Sequence, residues 1–352
     1  QLIKVYNMSN SIKEIFNNKT LFVTGGTGSF GKQFIKTVLS KYKPKKIIIY
    51  SRDELKQYEM QCDPYFEKYY KKDILRFFIG DVRDLPRLQR AMKNDVSFVV
   101  HAAALKQVPA AEYNPFEAVK TNIVGGQNII DASIESEVRK VIALSTDKAC
   151  SPINLYGATK LVSDKLFAAA NNYVGDEKIK FSVVRYGNVM GSRGSVIPFF
   201  LEKRKTGVLP VTDKRMTRFN ITLKEGVDFV IECFDKMWGG ELFIPKIPSY
   251  RIMDVVNAID NNCKVKITGI RPGEKIHEEM ISITDAISTV EYDDYFVILP
   301  STPQWDIDDF IKRSNSKKGK LCSYGFSYNS GTNEDFITVD KLKKIINNLD
   351  YE

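Results

Sequence analysis

The chain alternates between short apolar runs and longer segments whose apolar residues recur every three or four positions. The short runs predict buried strands, and the recurring spacing predicts helices that cover a sheet. Before residue 188 the predicted strands are 20–24, 46–50, 75–79, 96–100, 138–144 and 178–184. The predicted helices between them are 32–40, 54–60, 115–133 and 154–171. This alternation indicates an α/β fold built on a doubly wound parallel sheet, the Rossmann arrangement.

A glycine-rich turn, Gly25-Gly-Thr-Gly-Ser-Phe-Gly31, joins the first strand to the first helix. Glycines permit a tight turn and a close approach of the backbone to a pyrophosphate, which then meets the helix N-terminus. The motif alone is weak evidence, but the strand before it and the helix after it supply the required context. The turn therefore predicts a dinucleotide site.

The end of the second strand, Ser51-Arg52-Asp53, bears on the choice of dinucleotide. Enzymes that prefer NAD usually place an acidic residue here for the ribose 2′-hydroxyl, whereas an arginine accommodates the 2′-phosphate of NADP. Arg52 therefore favours NADP, although Asp53 keeps NAD open and Arg52 is also readable as a surface cation. Asp81, at the end of the third strand, is placed to accept a hydrogen bond from the adenine amine.

The end of the fifth strand and the helix after it carry the candidate chemistry. Tyr156 and Lys160 are four residues apart and share one helix face. A free tyrosine titrates near ~10, and an adjacent ammonium lowers that pKa toward the range of a useful base. Asp147 and Lys148, after Thr146, add an acid–base pair that hydride transfer alone does not require. The alternative for Lys148 is a solvated surface amine.

Domain organisation follows from where the pattern loosens. We expect residues 15–187, with 222–244 returning to them, to form the dinucleotide-binding domain. Residues 188–221 and 245–352 are expected to form a smaller substrate-binding domain. Arg218 and Arg271 lie in that part and are candidates to clamp a diphosphate, because guanidinium matches phosphate oxygens in pairs. Each is otherwise readable as a surface salt-bridge partner.

Composition restricts the class of protein. The 352 residues are 43% hydrophobic and 27% charged, which is ordinary for a soluble globular chain. The net charge of +9 is dispersed without a nucleic-acid-binding motif, so we expect a basic surface that attracts small anions rather than nucleic acid. Five scattered cysteines without metal spacing predict a reducing cytoplasm and no metal site. No apolar run approaches ~18 residues, so no membrane span is expected.

The motifs together resemble those of the extended short-chain dehydrogenase/reductases. Within that group the chain is similar to the configuration-inverting UDP-N-acetylglucosamine 4,6-dehydratases of pseudaminic acid synthesis. The shared segments, which run from about residue 20 to 277, are TGGTGSFG, SRDELKQ, GDVRD, HAAALK, STDKA, PINLYGATK, RYGNV, GSRGSV, MTRF and GIRPGEK. Gln107 and Asn220 depart from the family's usual residues and bear on substrate preference.

The resemblance implies a set of binding positions. Together with the glycine-rich turn, it assigns to NADP the residues Gly25, Thr27, Gly28, Ser29, Phe30, Gly31, Ser51, Arg52, Asp53, Glu54, Leu55, Lys56, Asp81, Val82, Ala103, Thr121, Asn122, Tyr156 and Lys160. It assigns to the UDP-sugar the residues Lys106, Asn188, Val196, Arg218, Arg271 and Glu274. It also implies a homo-oligomer, either a dimer or a hexamer.

The resemblance further implies a mechanism. Tyr156, helped by Lys160, removes the O4 proton while C4 gives a hydride to NADP. Lys148 takes the C5 proton, Asp147 protonates the departing C6 hydroxyl, and the hydride returns to C6 with inversion at C5. A UDP-sugar 4-epimerase is an alternative, but it needs no Asp-Lys pair. A non-catalytic NADP-binding protein is another, but such proteins commonly lose the Tyr or the Lys.

Overall fold

The computed structural model describes residues 12–93, 95–175, 178–190, 195–313 and 319–347. Its strands in chain order are β1 (Thr20–Thr24), β2 (Lys46–Ser51), β3 (Leu75–Ile79), β4 (Val96–His101), β5 (Lys140–Thr146), β6 (Lys180–Tyr186), β7 (Asn188–Val189), β8 (Val208–Val211), β9 (Thr217–Ile221), β10 (Leu242–Pro245), β11 (Ser249–Arg251), β12 (Lys264–Ile267), β13 (Glu279–Ile281), β14 (Thr289–Glu291), β15 (Tyr295–Ile298), β16 (Lys320–Leu321) and β17 (Tyr328–Asn329).

The helices in chain order are α1 (Ser29–Lys41), α2 (Glu54–Cys62), α3 (Pro64–Tyr70), α4 (Leu85–Met92), α5 (Val108–Tyr113), α6 (Pro115–Val119), α7 (Gly125–Glu135), α8 (Leu155–Ala170), α9 (Val196–Arg204), α10 (Leu223–Lys236), α11 (Ile252–Ile259), α12 (Ile283–Ala286), α13 (Ile307–Arg313) and α14 (Val339–Asn347). A π-helical turn, Lys120–Val124, joins α6 to α7, and short 3-10 turns occupy Ile12–Glu14 and Asp147–Ala149.

A central sheet organises the described residues, with the strand order β16-β14-β15-β10-β6-β5-β4-β1-β2-β3. The strands from β10 to β3 run parallel to one another. Helices pack on this sheet and on each other, α1 against α10 and α7 against both α4 and α8. The predicted α/β class with a mostly parallel sheet is therefore confirmed.

The side of the sheet beyond β10 differs from the prediction. Strands β15, β14 and β16 continue the sheet antiparallel, beginning with the pairing of Leu242–Pro245 to Tyr295–Ile298. Residues 289–291, 295–298 and 320–321, which the sequence analysis assigned to the substrate-binding domain, therefore form part of the central sheet. Val290, Phe296 and Val297 are buried there, so these strands cover what would be an open edge at β10.

A smaller layer lies over the carboxyl ends of the parallel strands. It contains the sheet β11-β9-β7 and the pair β12-β8. A second hydrophobic cluster, distinct from the main core, packs α9, α11 and α14 together through side chains such as Phe200, Val255 and Leu342. This layer places β9 and the residues before β13 opposite the ends of β5 and β6.

Several local elements were not expected, among them a π-helical turn and the short helices α3, α4 and α5. The predicted helix 115–133 is interrupted by the π-helical turn Lys120–Val124, a feature often found at functional sites. A short helix, α3, forms at Pro64–Tyr70, because Asp63 caps its first turn and Pro64 stands at its first helical position. No helix among the described residues has the length and apolar character needed to cross a membrane.

Candidate active site

A cavity of about 1410 Å³ opens where β1, β4, β5 and β6 end, between the central sheet and the smaller layer. Parallel strands present their carboxyl ends at one edge, where ligands of this fold class bind. All six residues assigned to the UDP-sugar line the cavity, namely Lys106, Asn188, Val196, Arg218, Arg271 and Glu274. Thr146, Lys148, Tyr156 and Lys160 line it as well. The fold thus gathers into one space residues that are distant in sequence.

The glycine-rich turn lies at one end of this cavity. Gly25 has φ +64°, and a Cβ atom there would come within 3.0 Å of the Ala103 backbone. A Cβ on Gly31 would lie 2.5 Å from the Cα of Gly26. Gly28 caps α1 with no side-chain hydrogen bond, so the first amides of the helix are free to bind a phosphate. The turn therefore fits the pyrophosphate of a dinucleotide.

The residues that follow β2 include both a cation and an anion, and they lie at the same end of the cavity as the glycine-rich turn. Arg52 is half exposed and lies 3.4 Å from an Asp81 oxygen. Asp53 caps α2 by accepting from the Lys56 amide at 3.0 Å, and its other oxygen pairs with the Lys56 ammonium at 2.8 Å. Because the Asp53 carboxylate is engaged in this way, Arg52 is the more available group for a ligand.

Five of the predicted site residues do not line the cavity, namely Glu54, Leu55, Asp81, Asn122 and Asp147. Glu54 and Leu55 lie on exposed positions of α2. The Asp81 carboxylate pairs with Arg83 at 2.7 Å. The buried Asn122 side chain accepts from the Leu105 amide and donates to the Leu105 carbonyl and to Thr159. Asn122 therefore shapes the cavity by fixing the loop that follows β4.

Lys148 stands at the centre of an ionic network. Its Nζ atom lies 3.1 Å from Oδ1 of Asp147 and 3.3 Å from Oε1 of Glu278, and it donates to Asn188 at 3.4 Å. Lys148 keeps a quarter of its side chain exposed, toward the cavity. Burial acts to lower the pKa of Lys148, but the two carboxylates outweigh it and hold the pKa above its ordinary value. The resting amine is therefore an ammonium.

The Asp147 carboxylate lies behind Lys148 and is fully buried. Its Oδ1 atom accepts from the Thr146 hydroxyl at 2.9 Å and from Lys148. Its Oδ2 atom has no hydrogen-bond partner among the described residues. A buried carboxylate oxygen without a partner is costly, and this one offers a place for a proton.

Tyr156 and Lys160 lie one turn apart on α8, as predicted, and both line the cavity. Burial raises the pKa of Tyr156 to about 12, and the opposing influences are the Lys148 charge and a hydrogen bond with Thr146. Burial also lowers the pKa of Lys160, which Asp164 partly offsets. The sequence analysis expected Lys160 to lower the Tyr156 pKa. In the structure the net direction is upward, and the groups that oppose the rise are Lys148 and Thr146 rather than Lys160.

The predicted phosphate ligands differ in how free they are. Arg218 donates to the carbonyls of Thr217 at 2.7 Å and Ile276 at 3.0 Å, and lies 3.7 Å from carboxylate oxygens of Glu274 and Glu278. Arg271 is exposed at the cavity rim. Arg271 is consequently the freer guanidinium of the two, and Arg218 must exchange existing contacts to meet a phosphate.

The turn that carries Arg271 is tied to the start of α8. Asn154 caps α8 and also donates to the Gly273 carbonyl at 2.8 Å, while Lys275 donates to the Cys150 carbonyl at 2.7 Å. The turn needs glycine at position 273, where φ is +76° and a Cβ would lie 3.0 Å from Asn154. These contacts fix the position of the Arg271 turn relative to Tyr156.

Two residues of the site were missed by the sequence reasoning, Glu278 and Tyr250. Glu278 pairs with both Lys148 and Arg218, and Tyr250 is hydrogen-bonded to Asn188. In the sequence Glu278 stands between His277 and another glutamate, where it is indistinguishable from a surface acid. His101 is buried and its Nδ1 atom lies 2.9 Å from the Thr24 hydroxyl, which indicates a structural role.

The chain is similar to several known proteins. A family model described as polysaccharide biosynthesis protein matches residues 21–300. The chain is 55% identical, over 96% of its length and 99% of the relative, to a Campylobacter jejuni protein named UDP-N-acetylglucosamine 4,6-dehydratase (inverting). It is 36% identical, over 96% of its length and 98% of the relative, to a Rickettsia conorii protein named UDP-glucose 4-epimerase.

A solved structure, that of Pen from Bacillus thuringiensis, superposes with a TM-score of 0.83 at 36% identity. The match covers 95% of this chain and 98% of the other. The similarity therefore extends beyond the central sheet to the smaller layer.

Proposed function

The chain belongs to the polysaccharide biosynthesis protein family, and we propose that it catalyses the inverting 4,6-dehydration of UDP-N-acetylglucosamine. The product is UDP-2-acetamido-2,6-dideoxy-β-L-arabino-hex-4-ulose, so the enzyme is a lyase. The observation that carries the proposal is the Asp147–Lys148 pair, joined at 3.1 Å, in which Lys148 lines the same cavity as Tyr156 and Asp147 is buried behind Lys148. The relative from Campylobacter jejuni, at 55% identity, bears the name of this activity.

We also propose NADP as the resident dinucleotide. Arg52 is exposed at the end of β2, and Asp53 is committed to capping α2, which favours a 2′-phosphate over a free 2′-hydroxyl. When bound, NADP supplies a reversible acceptor for the C4 hydride and a donor of that hydride to C6. A cytoplasmic homo-oligomer, a dimer or hexamer, and a product destined for pseudaminic acid are part of the same proposal, by resemblance.

Tyr156 is the group that accepts the O4 proton. Its phenol holds that role through the Lys148 charge and the Thr146 hydroxyl, which favour the phenolate against burial. Lys160 lies one turn further along α8, and its buried amine shares a helix face with Tyr156. The C4 ketone that results acidifies the proton on C5.

Lys148 and Asp147 then carry the elimination. The Lys148 ammonium must lose a proton before it accepts the one from C5, and Asp147 Oδ1 is 3.1 Å away to receive it. That single transfer converts the ion pair into a neutral amine and a carboxylic acid. The amine takes the C5 proton. The proton on Asp147 passes to Thr146, whose hydroxyl bonds to Asp147 Oδ1 and lines the cavity, as Thr146 gives its own proton to the C6 hydroxyl, which leaves as water. Return of a proton to C5 on the opposite face inverts that carbon.

The test uses purified protein, UDP-N-acetylglucosamine and no added reductant, with the product followed by NMR in D2O. We expect a 4-keto-6-deoxy sugar with deuterium at C5 and the L-arabino configuration. Retention of configuration at C5, or release of NADPH in amounts equal to product, would rule out the proposed mechanism. Lys148→Ala should abolish elimination and leave NADP binding intact, whereas Lys165→Ala, an exposed lysine on α8, should be unaffected.

A 4-epimerase is the second candidate, because the Rickettsia conorii relative carries that name at 36% identity. An epimerase inverts C4 and keeps the C6 hydroxyl, so the same NMR experiment would show an axial C4 hydroxyl and no deuterium at C5. The Asp147–Lys148 pair has no task in that reaction. The dehydratase is therefore the better account of the residues that line the cavity.

A further inference from the structure

We propose that Glu278 is a positioning residue, which holds the Lys148 amine in place and restrains it from releasing its proton before substrate arrives. This inference rests on the proposed function, because it concerns the group that we assign to the C5 proton. The sequence motifs do not include Glu278. Its role is visible only once β13 and the turn Asp147–Ala149 lie side by side.

Glu278 is built into the site as a buried anion. Its side chain is 3% exposed, and its Oε1 atom lies 3.3 Å from Lys148 Nζ and 3.7 Å from Arg218 Nε. Its Oε2 atom has no hydrogen-bond partner within the described part of the chain. A carboxylate this deeply buried is stable as an anion only beside cations, and Lys148 and Arg218 are the cations that it faces.

The backbone of Glu278 is fixed from both sides by one residue of the tail. The Glu278 amide donates to Ser330 Oγ at 2.9 Å, and the Ser330 amide donates to the Glu278 carbonyl at 2.8 Å. Ser330 Oγ is in turn 2.8 Å from the Thr217 hydroxyl on β9. Glu278 therefore cannot drift relative to β9, and the carboxylate keeps its distance from Lys148.

The charges around Lys148 give the expected direction of the effect. Asp147 on its own turn and Glu278 before β13 favour the ammonium, while Arg218 on β9 opposes it. Tyr156 on α8 and Tyr250 on β11 face the same amine as phenols with raised pKa values. Removal of the Glu278 charge leaves one carboxylate against one guanidinium, so the amine loses its proton at lower pH.

The first experiment measures the pH dependence of product formation by Glu278→Gln, an almost isosteric change that removes the charge. We expect the basic limb of the profile to move to lower pH by roughly one pH unit or more, because the pair then loses to solvent, at lower pH, the proton that Lys148 passes to Asp147. The matched control is Glu279→Gln, because Glu279 bonds to Ser151 at 2.9 Å and does not line the cavity. The control profile should coincide with wild type. Coincidence of the Glu278→Gln profile with wild type would overturn the proposal.

The second experiment does not depend on turnover. The 13Cε resonance of Lys148, assigned by its loss in Lys148→Arg, is followed against pH in holoenzyme labelled at lysine. Wild type and Glu279→Gln should keep the ammonium form to the highest pH at which the protein stays folded. Glu278→Gln should titrate at lower pH, and Glu278→Asp, which retains the charge, should restore the wild-type behaviour. Identical titrations in wild type and Glu278→Gln would overturn the inference, whereas failure of wild type to form product overturns the proposed function alone.

Discussion

Gly157 offers a sharp test of how the reaction centre is assembled. It lies in the first turn of α8, one residue after Tyr156, and its amide donates to the Asn154 cap at 2.8 Å. A Cβ atom at this position would lie 2.1 Å from the Lys148 carbonyl oxygen and 3.0 Å from the Lys148 carbonyl carbon. The obstacle is backbone, so no rotation of a side chain relieves the overlap.

The displacement that Gly157→Ala requires follows from these distances. Ordinary van der Waals contact begins near 3.4 Å, so the turn Asp147–Ala149 and α8 must separate. A separation of about 1 Å between catalytic groups lowers kcat by roughly 100-fold, because proton transfers depend on near-contact geometry. Overpacking of this kind costs about 1–3 kcal/mol of folding free energy, which is small enough for the variant to fold.

The matched control is Gly226→Ala in the first turn of α10. Its Cβ would meet nothing nearer than 3.8 Å, the distance to Ile221 Cδ1. That variant should keep the wild-type kcat and gain about 0.5–1 kcal/mol, because alanine favours the helix. The measurements are kcat for product formation by NMR and thermal unfolding by circular dichroism. A Gly157→Ala enzyme with wild-type kcat would refute the view that this close contact sets the distance between Tyr156 and Lys148.

Three further predictions concern single residues. Tyr156→Phe should reduce product formation by about 10²- to 10⁴-fold, measured as the initial rate, because it removes the group that accepts the O4 proton. Arg52→Ala should raise the KM for NADP by about tenfold or more and change the KM for NAD little, because only NADP carries the 2′-phosphate. Burial, and then the Lys160 charge, lower the pKa of His101 from 6.5 to about 3, so the unfolded chain binds a proton between these values that the folded chain does not. The free energy of unfolding should therefore decrease as the pH is lowered below 6.5, by up to about 1.4 kcal/mol per pH unit. Urea unfolding of His101→Gln should not show this decrease. Equal pH dependence in wild type and His101→Gln would contradict the assignment.

Much of the central sheet follows from local sequence. The strand at 20–24 is apolar at its three central positions and runs into glycines, so both its burial and the tight turn after it are dictated by residues close in the chain. Tyr156 and Lys160 share a helix face at any location of the helix in the fold. The boundaries of α6 and α7 were harder, because the π-helical turn Lys120–Val124 carries no breaker residue that marks it.

The strands between residues 289 and 329 are ones that local sequence does not predict. Strands β14 and β15 are three and four residues long. They pair with each other, and β15 also pairs with β10, which lies more than forty residues earlier. Short strands with distant partners owe their existence to the open edge that they cover, and an edge is a property of the assembled sheet. The same holds for β17, whose following residue Ser330 fixes Glu278.

The sequence by itself determined the fold class, the glycine-rich turn and the adjacency of Asp147 and Lys148, the proposed reacting pair, because each depends on residues that are neighbours along the chain. The tertiary structure decided the electrostatics of that pair. It buried Asp147 behind Lys148, brought Glu278 from 130 residues away to 3.3 Å from the same amine, and placed Lys148 as the charge that acts most on Tyr156. Ionic interactions depend on the distance between charges and on their burial, and neither can be deduced from the spacing of residues along the chain.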